Sequence, residues 1–154
     1  MRELFFAALA NYTLVTVAIV TALSQIIKVI YYRFRDGKWD LWHLFEAGGM
    51  PSSHSASVTA LTLGVALQFG VNTALFTACL VFALIVIYDA TGVRRSAGKQ
   101  AETLNMVVGD LYKGQRVHIA KHKEILGHDP VEVLAGAAFA VVITLITYYV
   151  YFAG

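Results

Sequence analysis

The chain contains one cysteine, Cys79, and only two prolines in 154 residues. A single thiol excludes an internal disulfide framework and a cysteine-based metal cluster, so Cys79, inside an apolar run, reads as packing. Charge is scarce too: Asp, Glu, Lys and Arg make up 14% of the chain, and none of them falls in 4–27, 55–88 or 133–154. The net charge is only +2, and no basic run interleaved with aromatics occurs, which argues against a nucleic-acid partner. Apolar residues are what the chain has in excess, at 58% hydrophobic and a mean hydropathy of +0.64. A soluble domain of this size could not hide them. The uncharged stretches have the length and composition of membrane spans. The expectation is an all-α integral membrane bundle in which 1–154 form a single domain.

Residues 4–32 have the length of one helix and end in Lys28, Tyr31, Tyr32, Arg33 and Arg35, basic and aromatic residues that favour a membrane interface. This stretch is too long for a signal-peptide core and lacks a small-residue cleavage site after it, so it is expected to be retained. The uncharged run 55–88 exceeds one span and is interrupted at Gly70-Val71-Asn72. Divided there, it makes two helices of about 15 residues, each about 23 Å long against about 30 Å of hydrocarbon. Their polar ends, His54 and Asp89, then sit at or just below the headgroups. The polar region 89–130 begins helix-like over 97–111, and a last span covers about 131–152, ending in the aromatic belt Tyr148, Tyr149, Tyr151 and Phe152. About four spans bring the loop 33–50 and the region 89–130 to one face of the membrane. Three of the 12 Lys and Arg lie in the first and seven in the second. The positive-inside rule therefore favours the cytoplasmic side of a bacterial plasma membrane for that face.

Three groups of residues there could carry chemistry. In Gly48-Gly49-Met50-Pro51-Ser52-Ser53-His54 the glycines permit close backbone approach and Pro51 is favoured near a helix start. Ser52 or Ser53 can cap the following helix, whose free N–H groups and dipole favour an anion. A histidine there can act as an acid toward that anion; the alternative is an ordinary capped helix with an interfacial histidine. In the second group Asp129 as N-cap, Pro130 as first helical residue and Glu132 as third make a capping box, which leaves His128 unexplained. A carboxylate bonded to one imidazole nitrogen fixes the tautomer and raises the basicity of the other, as a nucleophilic histidine requires. Third, Lys28 and Arg35 are seven residues apart and can share one helix face, although snorkelling at a helix end explains them equally well. Asp89 is costly in a membrane unless paired, with Arg94 or Lys28 as the candidates, and Arg95 adds another cation. Cations, a helix N-terminus and two histidines make a phosphate site. His43 and His118 read as interfacial or solvated, and Asn105 as helix packing.

Together, Lys28-x6-Arg35, Pro51-Ser52-Ser53-His54 and His128-x3-Glu132 resemble the three-part signature of the type 2 phosphatidic acid phosphatases (PAP2). The likeness is closer still to their small divergent branch related to acid phosphatases and vanadium-dependent haloperoxidases (DUF212), through GMPSSHSA at 49–56, GVRRSAGKQAETLN at 92–105 and LGHDPVEVLAG at 126–136. The resemblance implies a PAP2-like core, reduced from six spans. It implies His128 as the nucleophile that forms a phosphohistidine, Glu132 in place of the usual Asp as its orienting partner, and His54 as the acid that protonates the leaving oxygen. Lys28, Arg35, Ser52 and Ser53, with backbone N–H groups, would bind phosphate oxygens, and no metal or other cofactor is implied. Two positions depart from the pattern: His122 replaces the arginine six residues before the nucleophile, and Asp36 replaces the proline after Arg35. Arg94 and Arg95 are the candidates to supply the missing cation. Four spans in place of six raise a homodimer as a way to complete the bundle.

The first functional reading is a metal-independent membrane phosphatase acting on a lipid phosphate, an isoprenyl phosphate or diphosphate or a phosphatidate-type lipid, whose head enters from the bilayer plane. The second is a catalytically weak or inactive binder of anionic lipid phosphates. Haloperoxidase activity shares the pocket by ancestry only and fits this hydropathy poorly. The expected partners are the lipid substrate and the bilayer.

Overall fold

The computed structural model describes residues 2–37, 39, 49–91, 100, 101, 103–109 and 129–153. Regular structure among them is helical: α1 (Arg2–Leu9), α2 (Tyr12–Asp36), α3 (Ser53–Phe69), α4 (Ala74–Thr91) and α5 (Pro130–Ala153). Residues 103–109 are helical too, within the stretch 97–111 expected to be so. The fold is a helical membrane bundle. Helices α2, α4 and α5 are each long and apolar enough to cross a membrane. The fourth member of the expected bundle is α3, with 17 residues. At about 26 Å it is shorter than the hydrocarbon layer of about 30 Å. It packs against α2, α4 and α5 and so forms the centre of the molecule.

The single helix expected over 4–32 is two. Asn11 adopts an extended conformation, and its side chain accepts the Leu14 N–H at 3.0 Å, ending α1 and capping α2. Hydropathy averages over such a break, because one asparagine side chain competes for a backbone donor without making the stretch polar. The break expected at Gly70-Val71-Asn72 is present. Gly70 closes α3 with its N–H on the Ala66 carbonyl at 2.9 Å, and the Thr73 hydroxyl accepts the Phe76 N–H at 3.1 Å as α4 begins.

Side-chain hydrogen bonds set the register. The Thr13 hydroxyl donates to Gln68 Oε1 at 2.6 Å, and the hydroxyls of Thr21 and Ser57 lie 2.7 Å apart, so α2 runs antiparallel to α3. The Thr62 hydroxyl reaches the Cys79 carbonyl at 3.2 Å, which makes α4 antiparallel to α3 as well. By contrast α5 starts beside α3 and runs with it: the Ser52 N–H donates to the Glu132 carbonyl at 3.1 Å, and Ser55 Oγ lies 3.0 Å from the Val133 carbonyl. The ends of α2 and α4 and the starts of α3 and α5 therefore share one end of the bundle. At the other end Tyr12, 1% exposed, gives its hydroxyl to the Thr144 carbonyl at 2.9 Å, and its ring packs 5.4–5.7 Å from those of Tyr148, Tyr151 and Phe152. Part of the expected aromatic belt thus packs on the buried Tyr12 and fastens α5 to α2, while Tyr151 and Phe152 stay about half-exposed.

The core between these ends is small: Val20, Ala56, Ala60 and Ala140 are fully buried, with Val17, Phe139 and Ile143 against them. Hydrocarbon outside is as apolar as leucine inside, so helices in lipid associate through close backbone approach and polar contacts, which small side chains permit. Gly136 is the tightest case, because a Cβ there would overlap Ser55 Oγ and the Ser52 carbonyl. Gly136→Ala is accordingly expected to lower the thermal midpoint of the detergent-solubilised protein. In an open helix position the same change would raise stability by about 1 kcal/mol, whereas overpacking costs about 1–3 kcal/mol. A midpoint that stays level or rises would remove this contact from the account.

Candidate functional site

The second and third sequence motifs meet through their backbones. Ser52 caps α3; its hydroxyl accepts the Ser55 N–H at 3.4 Å, a long bond, while its own N–H goes to Glu132 on α5. Ser55 Oγ stands 3.1 Å from the Ser52 carbonyl and 3.0 Å from that of Val133, and donates to one at a time. Ser52, Ser53 and Ser55 are all buried. His54, on the same first turn, is half-buried, and its Nδ1 lies within the protein. Two helix N-termini, each with a positive dipole end, are thus held side by side.

The first motif comes in along α2. The pairing of Thr21 with Ser57 in antiparallel register brings Lys28 level with Met50, at the start of the second motif. Lys28 is fully buried, which excludes snorkelling, since a snorkelled ammonium sits in solvent. One turn further on, Tyr32 packs against Gly49, whose φ is +99 and where a Cβ would lie 2.7 Å from the Tyr32 hydroxyl oxygen. Glycine is required there both by the backbone angle and by the ring. The Arg35 guanidinium stacks 4.4 Å from the centroid of that ring, and Arg35 is exposed, its backbone about 10 Å along the helix beyond that of Lys28, at the outer edge.

Glu132 makes its own half of the capping box: its Oε2 accepts the Asp129 N–H at 3.3 Å, while the Glu132 N–H goes to the Asp129 backbone carbonyl at 2.9 Å. Both alternatives for this group remain compatible, because a carboxylate offers about four acceptor positions. His128, Arg94, Arg95 and His122 lie outside the described residues, as do His43 and His118. The structure therefore brings together Ser52, Ser53, His54 and Glu132 with Lys28 at their level, and puts Arg35 at the rim.

Two residues enlarge the site. Gln25, level with Ser53 in the α2–α3 register, holds its Oε1 buried and without a hydrogen-bond partner among the described residues. Its only sequence signal was a lone amide in an otherwise apolar span. Asp89 is ten residues beyond Cys79 and Ser52 ten before Thr62, so the antiparallel α3–α4 register makes the two level.

The chain matches the Divergent PAP2 family over residues 9–143. It is also 39% identical over 152 residues to an uncharacterized membrane protein, YuiD, of Bacillus subtilis (strain 168), an alignment that covers 92% of this chain and 96% of that protein. No solved structure matches it. The family match takes in Lys28, Arg35, the Ser52–His54 turn and Glu132, the residues that converge on the polar end of the bundle. On that match, this chain belongs to the Divergent PAP2 family.

Proposed function

We propose that the protein is a membrane phosphatase that hydrolyses a lipid phosphate through a phosphohistidine at His128. The substrate is an isoprenyl phosphate or diphosphate or a phosphatidate-type lipid. The observation that carries this reading is the 3.1 Å bond from the Ser52 N–H to the Glu132 carbonyl. It joins the helix whose first turn carries His54 to the helix that follows His128, at the level of the buried Lys28. In the first step a His128 nitrogen attacks phosphorus, the bond to the leaving oxygen breaks, and His54 gives that oxygen its proton. In the second, water attacks the phosphohistidine, its proton passes to His54, the P–N bond breaks and inorganic phosphate leaves. Lys28, with Arg94 and Arg95, balances the charge on the phosphate oxygens, Ser52 and Ser53 donate hydrogen bonds to them, and Arg35 acts on the phosphate from the rim, as phosphoryl transfer demands. Glu132 orients His128 with the acceptor capacity its cap leaves over. The site faces the cytoplasm of a bacterial cell in this reading, after the distribution of Lys and Arg.

A weak or inactive binder of anionic lipid phosphates is the second reading. It is favoured by His122 at the family's arginine position and by the engagement of Glu132 in its cap. Turnover separates the two. Purified protein in detergent with EDTA is expected to release phosphate from at least one of a prenyl phosphate, a prenyl diphosphate, phosphatidate and phosphatidylglycerophosphate. His128→Ala is expected to reduce that release about a thousandfold or more. Release that survives the substitution would remove His128 as nucleophile, and no release from any substrate while vanadate still binds would leave the binder.

Glu132→Gln isolates the orienting role, because glutamine keeps an oxygen for the Asp129 N–H. The thermal midpoint is expected to hold while phosphate release falls about a hundredfold. Unchanged release would make Glu132 a cap and nothing more.

A further inference from the structure

His54 is the first residue of a stripe along α3. Val58, Leu61, Val65 and Gln68 follow it at alternating spacings of four and three, which keeps them on one face. The far end of that stripe enters a cavity of about 470 Å³, where Leu61, Val65 and Gln68 are met by Leu14 and Val17 of α2 and Leu75 of α4. That volume is within the range of small-molecule pockets. Helices α2 and α4 each pack on α3 but, among the described residues, not on each other. α3 is thus the floor between two walls, and the cavity covers its Leu61, Val65 and Gln68, with Leu14 and Leu75 half-exposed on the rims; Val58, on the same face toward His54, is 6% exposed. Along the same face of α3, the groove's cavity begins about 10 Å from His54, at Leu61, and reaches Gln68 about 21 Å from it.

Polarity changes along this groove. The cavity end is largely apolar, and the Thr13–Gln68 hydrogen bond lies in its lining. Midway the Thr21 and Ser57 hydroxyls meet. At the near end α2 contributes Gln25 and buried Lys28, and α4 brings Asp89 to the level of Ser52. We propose that the groove is the binding site for one hydrocarbon chain of a lipid phosphate, with the phosphate at His54 and the end of the chain between Leu14, Leu61 and Leu75. This rests on a phosphate occupying the His54 end, which both functional readings share. An amphiphile fits because the polar and apolar ends of the groove lie on one continuous face. Because a chain leaving lipid for this groove gains little from the hydrophobic effect, the groove acts by register: it fixes where the head lies when the chain is seated.

The test is photolabelling of the full chain in detergent with a long-chain alkyl phosphate carrying a diazirine at the chain terminus, its chain spanning the about 21 Å from His54 to Gln68. Label is expected on the segments holding Leu14 and Val17, Leu61 and Val65, and Leu75. It is expected to be lost in Leu61→Trp and in Leu14→Trp, whose half-exposed rim position spares the core. It should persist in Leu84→Trp, since Leu84 is nine residues from Leu75 and on the opposite side of α4. Competition by unlabelled alkyl phosphate but not by the matching alcohol is the expected pattern. Label scattered over the outer faces of α4 and α5, label indifferent to both groove tryptophans, or equal competition by the alcohol would each overturn the proposal. Phosphate release by the same preparation is scored separately. Labelling without release leaves the groove standing and removes the catalytic reading, and release with scattered label does the reverse.

Discussion

Gly136 lets α5 approach α3 so closely that backbone bonds backbone, and the polar end of the bundle follows from that approach. Were a side chain interposed, the Ser52 N–H and the Glu132 carbonyl could not meet, and two helix starts would separate. Each start carries unsatisfied N–H groups and about half a positive charge. Held together, they form a region in which an anion is stabilised from two sides. Ser55 supports this joint from within: its hydroxyl is shared between carbonyls of both helices and is wholly buried. The serines of the second motif thus do structural work that is inseparable from any role as phosphate ligands.

Lys28 adds a second constraint of the same sign. A fully buried ammonium is expensive within hydrocarbon, and the cost is recovered only through close partners or a bound anion. It sits at the level of the α3 start, and the α3–α4 register brings Asp89 to that level from the other wall. The cation, the acid and the two dipole ends are thus gathered in one stratum of the bundle, whereas Arg35, stacked on Tyr32, stays outside it. The first motif therefore contributes one deep charge and one peripheral charge.

Much of this was legible in the chain because it rests on local chemistry. The spans, the turn at Gly70, the Ser52 cap and the Glu132–Asp129 capping box are each written within a few consecutive residues. The break at Asn11 escaped because hydropathy records composition and takes no account of a side chain turning back to a backbone donor. The depth of Lys28 escaped for a different reason: a cation near the end of an apolar run looks the same whether it snorkels or points inward, and only the packing of α3 decides. Gln25 and the meeting of α3 with α5 depend on contacts between residues far apart in the chain, which spacing does not encode.

The shortness of α3 connects the fold to the way a lipid would reach the site. A central helix about 26 Å long cannot bring both its ends to the headgroups of a layer with about 30 Å of hydrocarbon. Its longer neighbours α2 and α5 are long and apolar enough to cross that thickness beside it. The first turn of α3, with His54 and the buried serines, is therefore set slightly below the interface when its other end is level with the opposite surface. A substrate head drawn to that turn would move inward by only a few ångströms, and its chain would have room beside α3, because α2 and α4, among the described residues, do not pack on each other. In that geometry burial of the charged head is the main obstacle, and the two helix dipoles and Lys28 are the groups placed to offset it.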